Sequence, residues 1–261
     1  MRTDQPVTDD PGMYGTVGRF DGHVKSDIDI EVRRADERFS TRLDWLDSRH
    51  SFSFGPHRDP ANTHHGLLLV NNDDVVRPGS GFGMHPHRDM EIVTWVLAGE
   101  LEHRDSEGNH GIIRPGLAQR MSAGTGIRHS EHNPSRTDDV HFVQMWVLPD
   151  TTGVRPGYEQ VDISAELTSG ALVPVASGRP DGAAIRIHQS DAALWAARVG
   201  PDATIDVPDG HHVHLFIATG SGRLDPGGRL DAGDAARLRR AGGATFTSGD
   251  DGAEVLIWTT A

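Results

Sequence analysis

The chain has 261 residues and no cysteine, which excludes disulfides, thiolate metal sites, iron–sulfur clusters and cysteine nucleophiles. Its formal net charge of −13, from 25 basic and 38 acidic residues, argues against direct nucleic-acid binding. A chain of this length buries a core of one large β domain or two ordinary ones without cross-links.

Residues 1–26, opening MRTDQPVTDDPG, are polar and rich in Asp, Pro and Gly. They read as a flexible arm. They contain no apolar run of the kind a secretory signal needs. The longest aliphatic run near the start, Leu67 to Val70, is far too short to span a bilayer. The expectation is a cytoplasmic protein with no membrane contact.

From Ile28 the texture changes. "IDIEV" alternates as a strand does, and "TRLDWLDSRHSFSF" reads as a loop and a strand edge. Short apolar runs then alternate with turn chemistry. "HGLLLVNNDDV" is expected to break at Asn-Asn-Asp-Asp, "MEIVTWVLAGELEHRD" at Ser-Glu-Gly-Asn, "HGIIRPG" at Pro-Gly and "LAQRMSAGTG" at Gly-Thr-Gly. "IRHSEHN" and "VHFVQMWVLPD" complete a first set, and "DTTGVRPGYEQ" reads as a linker. "SAELTSG" suggests a short helical turn. A second set follows in "ALVPVA", "AAIRIHQ", "ALWAARV", "ATIDVP", "HHVHLFIATG", "GRL", "ARLRRA" and "AEVLIWTT". Short strands at near-regular spacing, with no sustained helical period, predict an all-β protein of sandwich or barrel type. The repeated rhythm predicts two related β domains, residues 27–150 and 151–261.

The chemistry concentrates in "GMHPHRDME" and "GIRHSEHN". In a strand, residues i and i+2 share a face. His85 and His87 then point together, and Glu91 has the same parity if the strand stays regular. His129 and Glu131 form a second such pair. A chain with 16 histidines contains chance pairs, and a lone HxH is more often surface polarity. An HxH and an HxE, each on a strand and each near glycine turns, point instead to a metal centre. Neutral imidazole and carboxylate suit a divalent transition ion. Other signals are weaker. "SAGTG" lacks the Lys and spacing of a phosphate loop and reads as a tight turn. Asp, Ser and His in "DWLDSRHSF" lack a nucleophile elbow. Met121 and Met145 read as packing residues, and Trp45 and Phe52 as core or pocket wall. Val93, Trp95 and Leu97 share parity with Glu91 and are expected to wall a cavity near the metal, unless they are plain core.

Gly79, five residues, His85-Pro-His87, three residues and Glu91 resemble the first cupin motif, with the following glycine at Gly99, one residue late. Gly126, two residues, His129, three residues and Asn133 resemble the second, with Gly124 where many cupins have proline. "WLDSRHSFSFG", "NDDVV", "GFGMHPHRDMEIVTWVLAGELEHRDSEGN" and "MSAGTGIRHSEHNPS" resemble, more narrowly, the pirin family and its bacterial quercetinase-like members. The likeness runs from about Ile30 to the C-terminus, dense in the first half and thin in the second.

The resemblance implies a bicupin, two jelly-roll β-barrel domains packed face to face. It implies one metal in the first domain, usually iron, held by His85, His87, His129 and Glu131. Other cupins would use Glu91 as the carboxylate; the HSE sequence matches pirin at Glu131, which leaves Glu91 to orient a ligand histidine. The sequence alone accepts nickel, cobalt, manganese, copper or zinc as well as Fe(II). His212 and His214 repeat the HxH, but Ala218 stands where the motif wants Glu, so the second domain reads as a degenerate cupin without metal. The resemblance further implies a quercetin 2,3-dioxygenase type of reaction, in which a small aromatic, flavonol-like substrate is cleaved with O2 and carbon monoxide is released. Glu131 is then the candidate base. The alternative is a non-enzymatic, iron-binding redox sensor that regulates a protein partner. A sugar-processing cupin would want Arg88 or Arg128 at the cavity mouth, and strand parity points both away from the ligand face.

Overall fold

Alternating apolar residues bury one face of a strand, and Gly, Pro, Asn and Asp between them supply the turns. In the computed structural model of the protein, which describes residues 28–180 and 182–261, these segments are strands throughout, with one turn each of 3-10 and α-helix. The arm expected over residues 1–26 lies outside the described residues. Among the described residues no helix is long and apolar enough to cross a membrane.

The chain enters with β1 (Asp29–Arg33), which crosses at once to the far half of the molecule. Next come β2 (Phe39–Leu43), β3 (Leu46–His50), β4 (Leu68–Val76), β5 (Gly81–His87), β6 (Glu91–Ala98) and β7 (Leu101–Asp105). They are followed by β8 (His110–Ile113), β9 (Leu117–Ser122), β10 (Ile127–His132), β11 (Val140–Val147) and β12 (Gly157–Asp162). β2 to β12 make two antiparallel sheets, in the orders β12-β9-β6-β11-β4-β3-β2 and β5-β10-β7-β8. The sheets face each other as an open jelly roll of cupin type.

The helical turn expected at "SAELTSG" is α1 (Ser164–Leu167). After it come β13 (Val173–Ser177), β14 (Ile185–Arg186), β15 (Ala192–Val199), β16 (Thr204–Asp206), β17 (Gly210–Asp225), β18 (Gly228–Asp231), β19 (Ala235–Ala241) and β20 (Thr245–Thr260). They join in one sheet, β1-β19-β17-β20-β15-β13-β14, with β16 on β20 and β18 on β17. The long strands β17 and β20 pair antiparallel with each other, with register shifts on either side of Gly220. There Gly220 has φ +75° and a Cβ would strike the carbonyl of Gly252, so only glycine lets the two backbones meet.

Two strands cross the boundary drawn from composition. β1 pairs with β19, and β12 pairs with β9, Gly157 opposite Ser122 and Asp162 opposite Leu117. Part of the segment expected as a linker is therefore an edge strand of the first domain. An edge strand has little need of an apolar face, so Tyr158, Glu159 and Gln160 look like loop in the sequence. The break expected at Asn71 to Asp74 is absent, and β4 runs through these residues. Their side chains have partners on neighbouring elements, Asn71 on Ser51, Asn72 on His50 and Asp73 on Arg38 and His141, so their polarity marks a network and not a turn.

The two domains pack face to face over a shared apolar layer. Phe52, Val93, Trp95 and Met145 of the first meet Leu194, Phe216, Leu256 and Trp258 of the second. Both indoles are satisfied across the seam: Trp95 Nε1 donates to Glu254 Oε1 at 2.7 Å and Trp258 Nε1 to Met145 Sδ at 3.1 Å. Met145 and Met121 are buried, as expected of packing residues. The second domain has its own interior of Val213, Leu215, Ile217, Leu224, Leu238 and Phe246.

Candidate metal centre

β5 and β10 are antiparallel neighbours, with His85 opposite His129 and His87 opposite Ile127. Strand alternation turns His85 and His87 into the space between the sheets, and the register brings His129 between them. Ring centroids lie 4.4 Å apart for His85 and His129, 4.8 Å for His85 and His87, and 4.9 Å for His87 and His129. One nitrogen from each ring falls within 4.8 Å of the other two. A bulge between His129 and Glu131 shifts the β5 register by one residue. Glu131 comes within the same distance of His129 and of a fourth histidine, His103 on β7.

Hydrogen bonds set which nitrogen of each ring is free. His85 donates from Nδ1 to the carbonyl of Gly83 at 2.7 Å, which leaves Nε2 as its lone pair. His103 donates from Nε2 to Asp105 Oδ2 at 3.2 Å, so its Nδ1 accepts from His129 Nδ1 at 3.4 Å. That chain leaves His129 Nε2 bare. His87 Nε2 and His129 Nε2 are both buried without a hydrogen-bond partner. Buried polar atoms without partners are rare and costly. Burial, and then the neighbouring imidazoles, hold His87 down to about 4 and His129 down to about 3, so both rings are neutral near pH 7. Converging neutral lone pairs beside a carboxylate fit one divalent transition ion.

The supporting groups are equally fixed. Burial works against the charge on Asp105, but hydrogen bonds from Asn109 and His103 outweigh it and hold its pKa below the ordinary value. Such a carboxylate–histidine partner orients a ligand ring and raises its basicity. Glu131 is buried, and its oxygens accept from Gln144 Nε2 at 2.7 Å and from Thr94 Oγ1 at 3.5 Å. A cavity of about 290 Å³ opens over His85, His87 and Glu131, walled by Phe54, Phe82 and Trp146.

Residues 32–147 match the family model described as Pirin, and residues 174–258 match that of the quercetinase C-terminal cupin domain. A Mycobacterium tuberculosis protein provisionally named quercetin 2,3-dioxygenase is 57% identical over 230 residues, covering 88% of this chain and 94% of its own. The chain belongs to the pirin family. The quercetin 2,3-dioxygenase of Escherichia coli is 46% identical over 168 residues, 64% of this chain and 71% of its own. Among solved structures, the bacterial pirin YhhW from Escherichia coli in complex with nickel(II) has a TM-score of 0.79 at 36% identity, covering 88% of this chain and 97% of that one.

In this pirin Glu91 does not join the histidines. The chain turns between His87 and Glu91, with Asp89 at φ 44°, and Glu91 begins a strand of the opposite sheet. The parity count across that turn fails. Glu91 is buried on the face toward the second domain, accepting from Ser122 Oγ at 2.8 Å and lying 3.3 Å from His188 Nδ1. Val93 and Trp95 follow it to the seam, and Leu97 packs against the same layer. They are core and not cavity wall; β6 offers Thr94 to the site instead. Arg88 and Arg128 are exposed, in keeping with their outward parity. His103 and Asp105 were not anticipated. They lie opposite Glu131 and His129 in the β7–β10 pairing, and only that pairing brings them to the site.

Proposed function

We propose that this pirin is a metal-dependent dioxygenase of the quercetin 2,3-dioxygenase type, with His85, His87, His129 and Glu131 holding Fe(II). The observation that carries the reading is the set of unpartnered, buried imidazole nitrogens converging under an aromatic-walled cavity. The names of the Mycobacterium and Escherichia coli relatives support it. The lack of cysteine suits a reducing cytoplasm.

A divalent transition ion in such a site supplies Lewis acidity toward a phenolic hydroxyl and chemistry with O2. The protein supplies the rest. Phe54, Phe82 and Trp146 make an apolar slot that keeps water away and aligns a planar ring. Glu131, fixed by Gln144 and Thr94, takes the proton of the substrate hydroxyl. The Asp105–His103 pair keeps His129 in the tautomer that presents Nε2. A non-enzymatic sensor would suit a closed, cramped centre, and the open cavity supports turnover.

The test is O2 uptake by anaerobically Fe(II)-loaded protein on adding quercetin, with His87→Ala as control. The expected result is uptake stoichiometric with carbon monoxide release, absent in the variant. No uptake by protein shown to hold iron would overturn the reading. Glu131→Gln is expected to perturb the metal's spectrum directly, and Glu91→Gln to leave it as it was.

A further inference from the structure

The histidines occupy one wall of the cavity. The wall facing them, the inner face of the large sheet, is polar as well. The β3–β4 register sets Ser48 opposite Asp74 and His50 opposite Asn72, and β2 adds Thr41 opposite Ser48. All five line the cavity. Most of their hydrogen-bonding capacity is used among themselves. His50 Nδ1 lies 2.9 Å from Asn72 Oδ1, and Thr41 Oγ1 lies 3.0 Å from Nε2 of both His50 and His57. Ser48 Oγ lies 3.4 Å from His50 Nε2.

One strong group is left over. Asp74 is only 4% exposed, and its Oδ1 has no hydrogen-bond partner. A carboxyl placed there for packing alone would be better replaced by an apolar side chain, because a buried polar atom without a partner is costly. Burial pushes Asp74 up to about 7, against the nearby Ser48 hydroxyl and with the help of the Asp73 and Glu131 charges. A carboxyl that carries a proton part of the time both donates and accepts. The apolar surfaces of Leu46, Phe54, Phe82 and Trp146 line the same cavity.

We propose that Asp74, with Ser48 beside it, is a recognition subsite for a second hydroxyl of an aromatic substrate whose first oxygen faces the histidines. The subsite selects polyhydroxylated rings over rings with a single hydroxyl. This deepens the dioxygenase reading and rests on it for the orientation of the ligand. Asp74 is a specificity-determining residue in this scheme; the chemistry stays with the metal centre.

The test is anaerobic binding to the metal-loaded full chain, read by calorimetry, for two ligand pairs: quercetin against 3-hydroxyflavone, and catechol against phenol. Wild type is expected to favour the more hydroxylated member of each pair by roughly tenfold, the worth of one buried hydrogen bond. In Asp74→Leu the two affinities should converge at wild-type metal content, and Asp74→Asn, which still donates and accepts, should keep most of the preference. A preference unchanged in Asp74→Leu, an equal loss for both members of a pair, or no preference in wild type overturns the proposal. If Asp74→Leu does not fold, Ser48→Ala must reduce the preference, and an unchanged preference there is equally fatal. Flavonols that fail to bind, with an Asp74-dependent preference kept for catechol over phenol, would remove the flavonol reading and leave the subsite standing.

Discussion

Each domain of this pirin carries an HxH pair on a strand, and the two pairs meet opposite fates. In the first domain His85 and His87 turn inward to the cavity. In the second, β17 points Val213, Leu215 and Ile217 into the interior, and His214 and Phe216 face the first domain. His214 packs 5.7 Å from Phe52, and His212 bonds the carbonyl of Ala261 at 2.8 Å. A single residue of parity separates the two outcomes, because shifting a strand by one exchanges its faces. The first interior is therefore polar and open beside its core. The second is apolar and filled. The motif supplies the ligand types, and the strand's phase against the core decides whether they can meet.

Breaking the first interior should have the largest effect. His129→Ala is expected to weaken metal binding by more than the roughly 10–100-fold that loss of a supporting partner costs, and His214→Ala to leave metal content unchanged. Metal analysis of the two variants side by side checks this, and equal occupancy in His129→Ala would remove His129 from the ligand set. Breaking the second interior should cost stability and not metal. Leu215→Ala, at a fully buried position, is expected to lower the unfolding free energy by about 2–5 kcal/mol in urea titration at unchanged metal stoichiometry.

Finer contrasts sharpen the comparison. His103→Ala removes the partner that orients His129, so metal affinity should fall roughly 10–100-fold with the stoichiometry restored at saturating metal. An unaffected affinity would dismiss the Asp105–His103 support. The smallest effect belongs to His214, whose ring is buried with both nitrogens unpartnered. Burial, then the charge of Arg237, hold its pKa well below the ordinary value. The unfolded chain takes up a proton there below about pH 6.5 and the folded chain does not. Stability from this group is thus complete above that pH and declines as the pH falls. His65, lowered by burial to about 4, adds in the same sense. The melting temperature of metal-free His214→Leu should drop less than wild type between pH 7 and pH 5; parallel curves would refute the assignment.

What is local was legible in the chain. The strand rhythm, the helical turn at Ser164 to Leu167, the absence of thiol chemistry and the pairs His85/His87 and His129/Glu131 all follow from residue types and a period of two. What depends on pairing was not. The phase of Glu91 was lost at the turn before β6, which moves the chain from one sheet to the other. His103 reaches His129 only through the β7–β10 register, and Asp74 reaches the cavity only because β3, β4 and β11 lie side by side. β1 was legible as a strand and only its distant partner β19 was hidden, whereas β12 was missed because an edge strand keeps a polar outer face. Alternation is written into each strand by the chirality and pleat of its own backbone. Which face becomes interior is decided by hydrogen bonds and burial between segments far apart in the chain, and those exist only once the sheets have closed on each other.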